Sequence, residues 1–289
     1  MIKHIQINQT DLYYHDKWDI GNLNEYYQYI LNNLKTFFQN NKIPYSVNFG
    51  CDEIEKEINL DFQYEHTIIK NHSDTYNCSI HNFDKLIKCD SVFEYSKANI
   101  KHVENYPYFK PYLSVSNYYP PLIYDEVSNN NDRVNNCLTI HNLTERRSKV
   151  HQKVNMNYYH HECENDMFGK ETMKTIMDKF KILVNIHQTD FHHTLEELRV
   201  LPALMTGILI VSEDVPYKDV IPYNKHIVWS SYDDLPRTIN DVLDNYEVYR
   251  DKYLTGVNET IINMRTESSK LLTSIFKDYT NDTPNNTTL

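Results

Sequence analysis

Three stretches in the second half of the chain place polar groups directly after apolar runs, where strands would end. The first, His187-Gln-Thr-Asp-Phe-His-His193, follows the run 182–186, which holds Asn185, and leads into Thr194-Leu-Glu-Glu197. That tetrapeptide has the spacing of a capping box, in which the Thr194 hydroxyl bonds the Glu197 amide and Glu197 reaches back to the cap amide. A helix start of this kind offers free amides and the positive end of a dipole, which suits a diphosphate. The second stretch, Val211-Ser-Glu-Asp-Val-Pro216, supplies Ser212 and Glu213 as acceptors for ribose or sugar hydroxyls. In the third, His141-Asn-Leu-Thr-Glu-Arg-Arg147, two guanidinium groups follow a strand end, and their planar forks match phosphate oxygens.

Composition removes several competing chemistries. Only 5 Gly occur, and neither a Gly-x-Gly-x-x-Gly fingerprint nor a P-loop can be written, which disfavours a dinucleotide dehydrogenase or a P-loop kinase. A net charge of −11 argues against a nucleic-acid partner, because phosphate-backbone binding needs clustered Lys and Arg. The 5 Cys are odd in number and scattered, which suits a reducing compartment without a disulfide frame. His160-His161-Glu162-Cys163 lacks a second ligand pair, so no metal site is expected. Residues 1–10 are too polar for a secretory signal and no apolar run reaches membrane-spanning length, so a cytoplasmic location is expected. The sequence does not fix an oligomeric state.

The elements that must position these groups follow from periodicity. In the first half, strands are predicted over 3–8, 44–49, 60–70 and 91–95, with helices over 23–40 and 96–104. Prolines rule out a long helix over 106–124, and the Asn-rich run 127–132 is the best domain boundary. In the second half, strands over 137–141, 182–186, 207–212 and 226–229 alternate with helices over 144–154, 194–205 and 235–246. That alternation is the pattern of a parallel, doubly wound α/β domain. A last amphipathic helix covers 258–279, and the polar tail 280–289 is predicted to be disordered.

Taken in order, the motifs resemble a known family. Asn185-Ile-His187, Thr194-Leu-Glu-Glu-Leu-Arg-Val-Leu-Pro-Ala-Leu-Met-Thr-Gly207 and Ile208-Leu-Ile-Val-Ser-Glu-Asp214 resemble the C-terminal domain of GT-B-fold glycosyltransferases. The resemblance is to the small type found in large DNA viruses and bacterial surface-glycan clusters. It extends to Leu138-Thr-Ile-His-Asn-Leu-Thr-Glu-Arg-Arg147, Gln63-Tyr-Glu-His-Thr-Ile-Ile-Lys70 and Val92-Phe-Glu-Tyr-Ser-Lys-Ala-Asn-Ile100. It implies two Rossmann-like α/β domains facing a cleft, with a C-terminal helix packing back across. The acceptor side would be 1–126 and the donor domain 133–257.

The implied activity is metal-independent transfer from a UDP- or GDP-linked sugar to a glycan or other hydroxyl acceptor. The viral members of the type would work in the host cytoplasm. On this resemblance the donor is held by Arg146, Arg147, Asn185, His187, Thr194, Glu196, Glu197, Arg199, Ser212 and Glu213. His66, beside Glu65 at a strand end, is the expected general base if transfer inverts, with Asp16 and Asp52 in reserve. Many relatives carry a ribose-binding Glu five residues before the helix-ending Gly, where this chain has Pro202, so ribose contact would pass to Glu196, Glu197 or Ser212, or to the backbone. A sugar-nucleotide epimerase and a glycan-binding scaffold without turnover are the competing readings.

Overall fold

The computed structural model describes residues 5–7, 21–43, 58–73, 75–128, 132–154, 157–159 and 169–280. The expected strand 44–49, Asp16, Asp52, the 160–163 motif and the tail from 281 lie outside these residues.

In the first half, β1 (Ile5–Ile7), β2 (Ile58–Gln63), β5 (Ser91–Glu94) and β6 (Ser116–Tyr118) form an all-parallel sheet in that order. Helix α1 (Gly21–Asn40) lays Tyr26, Tyr27, Ile30, Leu31, Leu34 and Phe38 against Leu60, Phe62 and Phe93 of this sheet. Helix α2 (Lys97–Val103) follows β5, capped by Ser96, whose hydroxyl accepts from the Asn99 amide. Between β2 and β5 lies an antiparallel hairpin, β3 (Ile68–Lys70) and β4 (Tyr76–Cys78).

The single strand expected over 60–70 is therefore two. Gln63 breaks it: its side-chain carbonyl accepts from the amides of Tyr64 (2.9 Å) and Glu65 (3.0 Å), offering the backbone a turn in place of the ladder. Strand β6 also falls inside the Pro-Tyr-rich stretch for which no element was predicted.

The second sheet has the order β11-β10-β9-β7-β8, all parallel, with β7 (Asn135–Ile140), β8 (Asn157–Tyr159), β9 (Phe180–Asn185), β10 (Leu209–Glu213) and β11 (Ile227–Ser230). Its strands are apolar on both sides because both faces are covered. Leu138, Leu183, Ile210 and Ile227 enter one core, while Cys137, Ile182, Val184, Val211 and Val228 enter the other. The second face packs on α3 (Glu145–His151), α6 (Leu235–Asp244) and α7 (Tyr246–Leu254), and the first on α4 (Lys170–Met177), α5 (Glu197–Met205) and α8 (Val257–Ile275). Helices α4 and α7 and strands β4 and β8 were not read from the sequence.

Helix α8 starts in the core of the second sheet with Val257, Ile261 and Met264. It ends on the first, where Leu272 and the following Phe276 join the α1 core and the Phe276 ring lies 4.9 Å from that of Phe38. A C-terminal helix thus packs back across, as the resemblance implied. The order of the second sheet reverses at β7, since β8 lies on one side of it and β9 on the other. Ligands of open parallel sheets bind outside the carboxyl ends of the strands at such a switch point.

Candidate functional site

The carboxyl ends of β7, β9 and β10 bring most of the sequence-predicted donor residues together. Thr144 caps α3, accepting from the Arg147 amide at 3.3 Å, so the two arginines fall in the first turn beside the switch point. Arg146 donates from Nε to Asp190 at 2.6 Å and from Nη1 to Glu213 at 2.7 Å, and Nη2 bonds the other Glu213 oxygen. Its guanidinium lies 3.8 Å from the centre of the Tyr232 ring, and the Tyr232 hydroxyl donates to the Arg146 carbonyl. Burial tends to raise the Glu213 carboxyl, but the Arg146 bonds and His187 outweigh it and hold it below the ordinary value.

Arg147 is buried and reaches the carbonyls of Ile186 (3.0 Å) and Asn142 (2.9 Å) and the Glu196 carboxylate (3.1 Å). It therefore ties the end of β9 to the turn after β7. Glu196 also pairs with Arg199 at 2.7 Å. Although burial works the other way, Arg199, His66 and Arg147 bring the Glu196 carboxyl down to about 2. Three guanidinium groups thus face three carboxylates, of Asp190, Glu196 and Glu213.

Two buried side chains at the strand ends carry polar atoms without a hydrogen bond. Asn185 donates to the Ser212 hydroxyl at 3.1 Å, while its carbonyl oxygen is buried with no hydrogen bond. The His187 ring is buried and neither nitrogen is hydrogen-bonded, although Nδ1 stands 3.4 Å from a Glu213 oxygen. Burial lowers this imidazole to about 4, so it is neutral at pH 7 and can donate one hydrogen bond and accept another.

The capping box does not form. Helix α5 begins at Glu197, and Thr194 stands outside it. The Thr194 hydroxyl instead accepts from the amides of Thr67 and Ile68, both at 3.0 Å, and donates to Asn99. Glu197 points into the protein, where it accepts from the Tyr223 hydroxyl at 2.8 Å and burial raises it to about 7. The amides of Glu197 and Arg199 already bond the carbonyls of Leu195 and Glu196, so this turn is a poor anion cradle. Ser212 is also buried, held by Asn185 and donating to the Glu213 carbonyl. Pro202 lies buried within α5 rather than at the strand ends.

On the facing edge, His66 follows the β2 end, and its ring lies 5.0 Å from that of His192. The Glu65 amide is held by Gln63, and its carbonyl accepts from Tyr95. Thr189 bonds His192 Nδ1 at 2.9 Å and so orients the ring. Asp190, His192 and Tyr232 were missed as site residues; the first two lie within the quoted 187–193 motif, while Tyr232 carries no signal beyond its place after a strand. Among the described residues no three His, Cys, Asp or Glu side chains are grouped to hold a metal.

Comparison with known proteins settles the fold. No family model matches the chain. One relative, an uncharacterised protein of Acanthamoeba polyphaga mimivirus, is 32% identical over 122 residues, which is 40% of this chain and 42% of that protein. A crystal structure described as the DNA modifying enzyme beta-glucosyltransferase with and without uridine diphosphoglucose superposes with a TM-score of 0.52 at 9% identity, over 96% of this chain and 99% of that one. S. aureus TarM, in a complex holding fondaparinux, alpha-GlcNAc-glycerol and UDP, gives 0.51 at 12% identity, over 79% of this chain and 52% of TarM.

The fold is GT-B. An alpha1,3-fucosyltransferase agrees, with a TM-score of 0.50 at 10% identity over 97% of this chain and 91% of that one. At such identities the likeness establishes architecture, and the chemistry must be argued from the strand ends themselves.

Proposed function

We propose that the chain is a glycosyltransferase that moves a sugar from a nucleotide diphosphate to a hydroxyl acceptor. The observation that carries this reading is the convergence of Arg146, Arg147, Arg199 and the unbonded His187 ring on the switch point of the second sheet. Arg146, once released from the exposed Asp190, supplies the positive charge for a leaving diphosphate in place of a metal. His187 and the Asn185 carbonyl supply the neutral hydrogen bonds that a base or ribose takes. In this reading the diphosphate lies against Arg146, not at Thr194, and competes with Asp190 for the Nε hydrogen. The UDP-bound neighbours favour a uridine nucleotide over a guanosine one.

His66, whose ring lies 5.0 Å from that of His192, is the proposed base that takes the acceptor proton, with Glu65 beside it. A glycan is the proposed acceptor, since a net charge of −11 repels a polyanionic one. No described helix is long and apolar enough to cross a membrane, and the cytoplasm is the proposed location.

A thermal-shift panel of nucleotide sugars tests the donor claim, because a ligand bound only by the folded state raises Tm. The expected result is a shift with a UDP-sugar, reproduced by bare UDP and reduced in Arg146→Met. No shift with any UDP or GDP compound at millimolar concentration refutes it. Product analysis of the best hit with and without acceptor then separates transfer from epimerisation, and the absence of any turnover would leave a binding protein.

A further inference from the structure

The segment 187–196 carries His187, Asp190, His192 and Glu196, yet it contains no helix or strand of its own. Its outer part is held as an extra strand on the hairpin: Lys70 donates to the Phe191 carbonyl at 2.7 Å and His193 to the Ile68 carbonyl at 3.0 Å, with an antiparallel bridge between Ile69 and His192. Its inner end is fixed by Thr194, whose one hydroxyl makes three bonds to the other half of the molecule. Beyond Thr194 the chain of bonds continues inward. Asn99 donates to Glu94 at 3.1 Å, and Glu94 also accepts from the Ser96 amide at 3.0 Å and from Tyr112 at 2.7 Å.

Thr194, Asn99 and Glu94 are all at most 1% exposed. A buried network with every bond made fixes geometry, and removing one member strands the others. The amides that Thr194 holds belong to Thr67 and Ile68, the two residues directly after His66. One hydroxyl therefore sets the distance between the His66 edge and the segment that carries His187 and Asp190.

We propose that Thr194, Asn99 and Glu94 are positioning residues that lock the 187–196 segment to the end of β5 and to the backbone beside His66, so that His66 and the 187–196 segment are presented as one unit. This rests on the glycosyl-transfer reading for its meaning in catalysis, but its structural content stands apart from it.

The test uses Thr194→Val, which keeps the shape and deletes all three bonds, with Thr194→Ser as the conservative rescue and Asn99→Ala as an independent break. Hydrogen exchange of the intact chain reads the lock directly. The expected result is that Thr194→Val and Asn99→Ala exchange the Lys70 and His193 amides about tenfold faster or more while the β9 and β10 amides are unchanged. Thr194→Ser should keep wild-type protection. Unchanged exchange at both amides in Thr194→Val overturns the lock, and equal acceleration throughout the protein shows a merely structural role and overturns it too.

With donor and acceptor, Thr194→Val should lower kcat more than it raises donor KM, since the spacing of His66 from the 187–196 segment, not the donor contacts, is lost. If wild type binds no nucleotide, the glycosyl-transfer reading fails while the exchange result still decides the lock.

Discussion

Asp190→Asn is the most discriminating single change at the switch point. Arg146 is shared by two carboxylates of unlike cost to remove. The Glu213 side chain is 6% exposed and makes a bidentate pair, whereas the Asp190 side chain is 79% exposed and makes one bond at 2.6 Å. A donor diphosphate approaching Arg146 therefore displaces Asp190 first. Exposed ion pairs contribute roughly 0.2–1 kcal/mol, and because the incoming phosphate must break this one, deleting it returns about that amount to binding. Asp190→Asn should bind UDP about 1.4- to 5-fold more tightly at low salt. The gain should shrink at roughly 0.5 M salt, where such interactions are screened over a few ångströms. Isothermal titration calorimetry at two salt concentrations measures it. A tenfold loss of affinity would show that Asp190 itself holds the donor, and an unchanged affinity would show that the phosphates do not meet Arg146; either refutes the reasoning.

Three further outcomes rest on the same geometry. Burial raises Glu94 to about 8 against the pull of its three donors. A carboxyl whose folded value exceeds its unfolded one loses stabilisation as pH rises between the two, so the Tm of wild type should fall relative to that of Glu94→Gln from about pH 5 to about pH 8; a Tm difference between the two proteins that stays constant over that range would contradict the assignment. Gly207 ends α5 with φ +75°, and an added Cβ would meet the Ser128 carbonyl oxygen at 2.6 Å. Gly207→Ala should therefore cost about 2–5 kcal/mol, combining left-handed strain with a backbone clash, read by urea denaturation; a loss below about 1 kcal/mol would argue against this turn. If guanidinium groups take the place of a metal, as proposed, EDTA should leave donor turnover within about twofold, and abolition restored by a divalent cation would reverse that reading.

Much of the second sheet was legible in the sequence because its strands are buried on both faces and read as apolar runs with polar punctuation. Residues 137–140, 182–185 and 209–212 carry that signal, and Arg146, Asn185, His187 and Glu213 stand at or just beyond the ends of those runs, where a polar side chain is conspicuous. Thr194 shows where local spacing misleads. Its distance from Glu197 satisfies a local rule, but its hydroxyl is claimed by Thr67, Ile68 and Asn99 from the other half of the chain, and no local pattern encodes a competitor so distant. Glu94 and Asn99 lie within the quoted 92–100 motif, but their role was unreadable for the same reason: it depends on what the fold sets against them. Gln63 could have been suspected of ending β2, since a side-chain amide that captures the next two backbone amides is a local device.

The central claim is that a nucleotide diphosphate binds at the carboxyl ends of β7, β9 and β10 against Arg146. Calorimetric titration of a UDP-sugar into the full chain, into Arg146→Met and into Arg146→Met/Glu213→Gln, in which no buried carboxylate is stranded, tests it most directly. One site per chain is expected in wild type. Both folded variants should bind about 10- to 100-fold more weakly, the worth of charge-assisted bonds of roughly 1.5–3 kcal/mol. Wild-type affinity in the double variant, or no heat of binding in wild type with any uridine or guanosine diphosphate compound, would contradict it.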